Sequence, residues 1–165
     1  MTWPWMAASS GPSARQGRVL IIAGSDSGGG AGVQADIKTV TALGAYAATA
    51  ITAITVQNTL GVFAVEPISP TIIREQIKVV LDDIGADVIK IGMLGDAATV
   101  TLVADALAAW APAIPIVLDP VMVAKGGHRL LADEAVAALA SRLAPMAAVI
   151  TPNAPEAERL TGLAI

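Results

Sequence analysis

The chain has 165 residues, no cysteine and a formal net charge of −4 at neutral pH. This length fits one domain with a sizeable core. The lack of cysteine excludes disulfides and thiolate metal sites. An acidic balance without a basic run argues against nucleic acid or an anionic membrane surface as a partner. No apolar run approaches the roughly 20 residues that span a bilayer, and we therefore expect a cytoplasmic protein.

Residues 1–17 differ in composition from the rest of the chain. They contain Trp3 and Trp5, two prolines and several Ser and Gly residues. No basic start is followed by a long apolar stretch, so the pattern does not indicate a signal peptide. We expect a disordered N-terminal extension, followed by a single domain over residues 18–165.

From residue 18 onward, predicted strands and helices alternate. Hydrophobic residues make up 55% of the chain and aromatic residues only 3%, which indicates an aliphatic core between helices and a parallel sheet. The predicted strands cover residues 19–23, 46–56, 62–66, 87–91, 115–118 and 147–150. The predicted helices cover residues 31–43, 70–84, 96–110, 133–143 and 153–160. This alternation predicts right-handed crossovers and an α/β fold with a mostly parallel sheet between helices.

The second and third predicted strands are expected to pair with each other. Residues 46–56 are rich in Thr, Ile and Ala, residues 58–61 form a turn, and residues 62–66 are typical of another short strand. Because a short turn joins the two strands, we expect residues 46–66 to form a small β-ribbon that projects from the sheet as a lid or a dimer contact.

An apolar strand, a glycine-rich turn and a helix start follow one another over residues 19–36. From Gly24 the turn reads Gly-Ser-Asp-Ser-Gly-Gly-Gly-Ala-Gly. Glycines let the main chain approach a ligand closely, and a helix start offers free N–H groups and the positive end of the helix dipole. The turn therefore predicts a site for a small polar ligand, often an anion. Its spacing is neither the dinucleotide fingerprint nor a P-loop.

Asp36 lies on the apolar side of the first predicted helix. At about 100° per residue it falls into one arc with Val33, Ile37 and Leu43, while Lys38 points away. A carboxylate on a buried face needs a partner. Two interpretations stay open: Asp36 caps local N–H groups, or it binds a hydroxyl or amine of a substrate beside the glycine turn.

Polar or unusual residues follow the predicted strands. In parallel sheets ligands bind at the carboxyl ends of the strands, so these residues are expected to meet at one edge. They are the glycine turn, Gln57, Met93, Asp119, and Asn153 with Glu156. Bland roles stay open beside this one, because Asp119 precedes a proline and Asn153 with Glu156 fits a helix capping box.

These motifs resemble those of the hydroxymethylpyrimidine/phosphomethylpyrimidine kinases of thiamine biosynthesis, in the ribokinase-like superfamily. The matching runs are residues 23–39, 42–46, 56–59, 90–94, 118–122 and 150–153, with Glu156. The resemblance implies a three-layer α/β/α fold with a mostly parallel sheet, C-terminally truncated here, and a small β-ribbon that serves as a lid or a dimer contact.

The resemblance also implies an activity and residue roles. The enzyme would use ATP and Mg²⁺ to phosphorylate 4-amino-5-hydroxymethyl-2-methylpyrimidine and then its monophosphate, and would form a homo-oligomer, a dimer. In the family pattern Asp36 and Gln57 hydrogen-bond the pyrimidine and its hydroxymethyl group. The residues that would line the ring are Gly24, Ala31, Met93 and Val121. Those that would lie towards the phosphates are Asp119 and Asn153, with Asp119 and Glu156 as Mg²⁺ ligands. Lys125 is either a further anion-facing group or a solvated loop lysine.

One departure from the family pattern concerns catalysis. Such kinases carry a Gly-Thr-Gly-Cys-type anion hole, the catalytic residue and most of the adenine pocket in a C-terminal part that follows the Asn153–Glu156 motif, and this chain ends at Ile165. We therefore expect the catalytic residue to lie outside these 165 residues. Two alternatives stay open: a pyridoxal or pyridoxine kinase of the same fold, and a non-catalytic pyrimidine-binding fragment.

Overall fold

Strands and helices alternate in the computed structural model, which describes residues 16–122 and 133–165. The strands are β1 (Arg18–Ala23), β2 (Tyr46–Ile51), β3 (Ala53–Asn58), β4 (Gly61–Pro67), β5 (Val88–Ile91), β6 (Ile116–Leu118) and β7 (Val149–Ile150). The helices are α1 (Gly32–Ala42), α2 (Pro70–Asp83), α3 (Ala97–Trp110), α4 (Asp133–Ala138) and α5 (Ala154–Thr161). After α4 the chain continues through a π-helical turn, Leu139–Leu143, and a 3-10 turn, Ala144–Met146.

The main sheet has five strands in the order β2-β1-β5-β6-β7, and every neighbouring pair is parallel. Strands β3 and β4 pair antiparallel in a separate two-stranded ribbon. The predicted α/β fold with a mostly parallel sheet and a small ribbon is therefore confirmed. All the carboxyl ends of the main strands lie at one edge, because the strands run in one direction.

The predicted extent of the ribbon is wrong. Residues 46–56 were expected to form one extended arm, but they split at Thr52 into β2, an edge strand of the main sheet, and β3, a strand of the ribbon. Thr52 is buried and donates its N–H to Ala23 O at 3.0 Å and its hydroxyl to Met93 O at 2.7 Å. These bonds hold the crossing point to the main sheet, and the ribbon begins only at Ala53. No glycine or proline marks the crossing in the sequence.

The larger core lies between one face of the sheet and helices α2, α3 and α4. Side chains of the sheet that alternate in sequence share this face, as the two-residue period of strands requires. Its fully buried members from the strands are Leu20, Ile22, Ala50, Ile89, Ile91 and Leu118. They meet Ile73 and Ile77 of α2, Val100, Val103 and Leu107 of α3, and Ala135 of α4.

The opposite face carries a smaller core beneath α1. Ile21 and Ala23 of β1 pack against Val33 of the helix. The apolar arc predicted for this helix is only partly buried: Val40 lies against the cluster, but Ile37 is 37% exposed and Leu43 is 81% exposed. The reason is that α1 packs mainly over β1 and β2, and Leu43 lies at its C-cap, past the packed turns.

A strip of the sheet beside α1 has no helix over it among the described residues. The register pairs Lys90 of β5 with Val117 of β6, and Val117 with Val149 of β7, so their side chains share the face of Ile21. Lys90 and Val117 are half-buried, and Val149 is exposed.

Two of the predictions fall on residues that the structure does not describe. Residues 1–15 of the expected extension and the loop with Lys125 are among them. Gln16 donates its side-chain amide to Gly44 O at 3.1 Å, and Gly17 O accepts from Tyr46 N at 2.8 Å. Within the described ranges, no helix has the length and apolar character that crossing a membrane requires.

The uncovered strip predicts that the 165-residue chain self-associates. Val149 is 51% exposed on β7, an edge strand within the described residues, and apolar edge strands pair readily with other chains. In sedimentation experiments over a concentration series, Val149→Lys is expected to lower the associated fraction.

The matched control is Leu163→Lys, because Leu163 is 68% exposed but lies beyond the last helix. A parent chain that is monomeric throughout the series would contradict this prediction, as would equal dissociation by the two variants.

Candidate functional site

The glycine turn between β1 and α1 is built around the carboxylate of Asp26. The residue is only 5% exposed. Its Oδ1 accepts from Gly28 N at 2.8 Å, and its Oδ2 accepts from Gly30 N at 3.0 Å and from Ala31 N at 2.8 Å. These N–H groups lie in the turn just before α1, where a bound anion could also use them. The prediction of an anion at these donors is therefore corrected: the side chain of Asp26 occupies them.

The glycine turn is hydrogen-bonded to β3, and this contact positions Gln57. Ser25 N donates to Ala53 O at 2.8 Å, and the hydroxyl of Ser25 accepts from Thr55 N at 2.9 Å. The hydroxyl of Ser27 donates to Gln57 O at 2.7 Å and accepts from Gln57 N at 2.8 Å. The ribbon register shifts just before Gln57, and such an irregularity re-aims a side chain. Gln57 consequently lies beside the glycine turn, half-buried.

Gly24 and Met93 lie against each other at the carboxyl ends of β1 and β5. Gly24 N donates to Met93 O at 3.1 Å, and Gly24 O accepts from Val33 N at 3.0 Å. A Cβ added at Gly24 would overlap the methyl group of the Met93 side chain. A larger residue at position 24 would therefore displace the end of the Met93 side chain, while the backbone hydrogen bond holds Met93 next to the turn.

Asp36 is paired with a lysine of the central strand. Its Oδ2 accepts from Lys90 Nζ at 2.8 Å, and Lys90 Nζ also lies 3.7 Å from Asp119 Oδ2. The exposed fraction of these side chains is 21% for Lys90, 22% for Asp36 and 37% for Asp119. The interpretation of Asp36 as a cap of local N–H groups is therefore replaced by an ion pair. Its substrate role stays a prediction.

Asp119 lies at the carboxyl end of β6 in a turn closed by Val121 N, which donates to Asp119 O at 2.8 Å. Burial raises the pKa of the Asp119 carboxyl, and the negative charges of Glu156 and Asp36 raise it further, while Lys90 opposes the shift. Among the described residues, the positive charge of Lys90 therefore does not fully offset the burial of the ionised carboxylate and its repulsion by Glu156 and Asp36. An added cation would stabilise the ionised form.

Asn153 and Glu156 form the capping box at the start of α5. Asn153 Oδ1 accepts from Glu156 N at 2.9 Å, and Glu156 Oε2 accepts from Asn153 N at 3.0 Å. The other oxygen, Oε1, accepts from Met122 N at 3.4 Å. Glu156 is 8% exposed. The capping box, which the sequence left open as an interpretation, is therefore present. The contact between Glu156 and Met122 also ties the segment after β6 to α5.

A metal site is not preformed in the described part of the chain. In residues 16–122 and 133–165, no group of three or more His, Cys, Asp or Glu side chains is arranged to hold a metal ion. Asp119 and Glu156 are nonetheless close enough for the charge of one to act on the pKa of the other. Their roles as Mg²⁺ ligands stay a prediction, as does the role of Lys125, which lies outside the described residues.

Two residues of this site were missed by sequence reasoning, namely Asp26 and Lys90. Both left a signal. Asp26 is the one carboxylate inside a run of glycines, where an aspartate accepts from backbone groups a few residues ahead. Lys90 is a charge in an otherwise apolar strand two residues before a glycine, and such a residue requires a partner when the strand is buried.

The sheet, the ribbon and this edge are those of solved small-molecule kinases. The chain superposes on a crystal structure of a phosphomethylpyrimidine kinase from Clostridium difficile 630 with a TM-score of 0.85 and 48% identity, over 91% of this chain and 64% of that one. It also superposes on a pyridoxal kinase from Staphylococcus aureus in complex with AMP-PCP and pyridoxal, with a TM-score of 0.79 and 36% identity, over 92% of this chain and 53% of that one.

The chain belongs to the phosphomethylpyrimidine kinase family, whose model matches residues 26–165. A hydroxymethylpyrimidine/phosphomethylpyrimidine kinase from Haemophilus influenzae is 56% identical over 148 residues, which are 90% of this chain and 55% of that protein. The family resemblance predicted from the sequence is confirmed. The chain spans about half the length of that relative.

The buried carboxylate of Asp26 predicts a large loss of stability on its removal. Asp26→Ala removes the hydrogen bonds that Gly28, Gly30 and Ala31 donate to a charged acceptor, and each such bond contributes about 1.5–3 kcal/mol. The free energy of unfolding, measured with urea, should fall accordingly. Asp83→Ala, which removes an exposed carboxylate from α2, serves as the control and should change it by less than about 0.5 kcal/mol. Equal effects of the two variants would be inconsistent with a structural role of Asp26.

The raised pKa of Asp119 predicts that removal of this carboxylate stabilises the folded chain, in contrast to the loss of stability expected for Asp26→Ala. A carboxyl whose pKa is raised by folding destabilises the folded state in its charged form, and this penalty disappears as the pH falls through the folded pKa. Asp119→Asn is therefore expected to raise the thermal midpoint of the ligand-free chain at neutral pH, by an amount that shrinks on acidification. Glu134→Gln, at an exposed position of α4, should leave the midpoint unchanged. A lower midpoint for Asp119→Asn at neutral pH would contradict the assignment.

Proposed function

We propose that this chain is the pyrimidine-binding part of an ATP-dependent kinase that phosphorylates 4-amino-5-hydroxymethyl-2-methylpyrimidine and then its monophosphate. The observation that supports this proposal most is the convergence of Gly24, Asp36, Gln57 and Met93 at one edge of the sheet. They come from four separate segments, and the hydrogen bonds of the glycine turn and the Lys90 ion pair join those segments. The names of the relatives supply the substrate class.

The chemistry of this edge suits a flat aminopyrimidine. The amide of Gln57 offers a donor and an acceptor to the ring edge, and the carboxylate of Asp36 accepts from the amino or hydroxymethyl group. Met93 provides an adaptable apolar wall for the ring. In this proposal Gly24, Ala31 and Val121 complete the lining through backbone and small side-chain contacts.

The phosphate side of the site lies at the ends of β6 and β7. Asp119 and Glu156 carry hard oxygen donors of the kind that Mg²⁺ prefers, and such carboxylates often act through the waters of the ion. When bound, Mg²⁺ neutralises the phosphate charge that develops during transfer. By the family pattern Asn153 would also lie towards the phosphates, and Lys125 is proposed as a further anion-facing group. The AMP-PCP in the Staphylococcus aureus pyridoxal kinase supports ATP as the phosphate donor.

The β3–β4 ribbon is proposed as a lid over this site or as a dimer contact, in a cytoplasmic protein. Its two strands and the turn between them expose several large apolar side chains, which are typical of a contact surface. They are Ile54, Val56, Leu60, Phe63 and Val65.

Pyridoxal phosphorylation is the second candidate activity. A pyridoxal kinase shares 36% identity with this chain over 92% of its length, and pyridoxal is also a flat ring with a hydroxymethyl arm. Competition between the two rings for the chain distinguishes the candidates: we expect the hydroxymethylpyrimidine to displace pyridoxal at the lower concentration. A tighter hold on pyridoxal would make the second candidate the better one.

The pyrimidine pocket is tested by calorimetry on the 165-residue chain. Asp36→Ala and Gln57→Leu are each expected to weaken binding of the hydroxymethylpyrimidine by about 1–3 kcal/mol, the scale for losing a buried hydrogen-bonding partner. Glu75→Ala, at an exposed position of α2, is the control and should bind as the parent does. Unchanged affinity in both pocket variants, with the fold intact, would rule out the assignment.

The same chain is expected to show little or no ATP-dependent phosphorylation by itself. It spans about half the length of its relatives, and losing one preorganised donor at a transition-state charge already costs a factor of about 10²–10³ in rate. Adding the C-terminal half of a relative should restore part of the activity. Turnover by the chain alone at the rate of a full-length relative would contradict this expectation, and binding without turnover even after the addition would favour a non-catalytic module.

A further inference from the structure

Lys90 is a charged residue in a strand that is otherwise apolar. It lies in β5, in register between Ile21 of β1 and Val117 of β6, on the face that α1 covers only in part. An exposed lysine at such a place would point to solvent. Instead, only 21% of its side chain is exposed, and the ammonium contacts two carboxylates.

The ammonium of Lys90 lies beside Gly92. A Cβ added at Gly92 would lie 2.9 Å from Lys90 Nζ and 3.1 Å from the Cβ of Ala23. The lysine side chain therefore extends along the sheet towards the carboxyl edge and ends against the glycine. This path places Nζ between the carboxylates of Asp36 and Asp119.

The two carboxylates belong to different parts of the candidate site. Asp36 is on α1, beside the glycine turn, and Asp119 follows β6 on the phosphate side. The charge of Asp36 already raises the pKa of Asp119, while Lys90 lowers it. Without the ammonium, Asp36 would lose the ion pair that holds its carboxylate at this position, and two like charges would face each other in a partly buried site.

We propose that Lys90 is a positioning residue that sets where Asp36 presents its carboxylate to the pyrimidine. This inference rests on the proposed function, since it takes Asp36 as a substrate contact. The lysine acts through Asp36 and does not itself touch the substrate. A lysine with a purely structural role would affect stability and leave pyrimidine affinity unchanged.

The test is a double-mutant cycle on pyrimidine binding. Lys90→Met keeps the length of the side chain and removes its charge. Measured by calorimetry with 4-amino-5-hydroxymethyl-2-methylpyrimidine, it is expected to weaken binding by about tenfold or more, the scale of a hydrogen bond to a charged group. In an Asp36→Asn background the same change should weaken binding by less than about threefold, because the residue through which Lys90 acts is already altered.

Lys78→Met is the matched control. Lys78 forms an ion pair with Asp82 at 2.5 Å on α2, and both side chains are well exposed. Removing that pair is expected to leave pyrimidine affinity unchanged. Lys90→Arg keeps the charge but replaces the compact ammonium by a planar guanidinium with a different geometry, so binding should be intermediate between that of the parent and that of Lys90→Met.

The outcomes separate this inference from the proposed function. If the parent does not bind the pyrimidine, the proposed function fails and the inference falls with it. If the parent binds and Lys90→Met binds equally well, or loses the same factor in the Asp36→Asn background, the inference alone is overturned. If Lys90→Met does not fold, Lys90→Arg decides: weakened binding with an intact fold supports the positioning role, and parent-like binding leaves Lys90 as a structural ion pair.

Discussion

A buried carboxylate with backbone donors around it is the constraint on which this site depends. Asp26 is held inside the turn between β1 and α1 by the N–H groups of Gly28, Gly30 and Ala31. A buried charge without such donors would be strongly destabilising. The donors in turn oblige the chain to wrap around the carboxylate, which gives the glycine-rich sequence its conformation. The wrapped turn then contacts β3 and brings Gln57 to the start of α1.

The turn is consequently preorganised, and the carboxylate of Asp26 takes the place at its N–H groups that an external anion could occupy. The groups left for a ligand are side chains at the sheet edge and the neighbouring backbone of Gly24 and Met93. Along that edge the central strand carries Lys90, whose contacts with Asp36 and Asp119 join the proposed pyrimidine side to the proposed phosphate side. In a kinase the two sides must be held at a fixed separation, because phosphoryl transfer depends mainly on positioning and charge neutralisation.

The fold class was predictable because two-residue and helical periods alternate regularly along the chain. The environments of individual residues were less predictable. The crossing at Thr52 joins two β-prone runs. Its position is set by tertiary hydrogen bonds, and no glycine or proline in the sequence marks it. Leu43 was expected on the buried arc of its helix, but periodicity gives the direction of a side chain and not the extent of the sheet beneath it. The partner of Asp36 lies 54 residues away, and local pattern alone does not determine such a pairing.

Backbone amide shifts of the isotope-labelled chain would test this account of the glycine turn most directly. The chain would be titrated separately with 4-amino-5-hydroxymethyl-2-methylpyrimidine and with inorganic phosphate. The pyrimidine is predicted to shift the amides of Gly24, Asp36 and Gln57, and phosphate to leave those of Gly28 and Gly30 in place, because Asp26 already occupies them. Saturable phosphate shifts at Gly28 and Gly30, or pyrimidine shifts confined to residues away from the sheet edge, would contradict it.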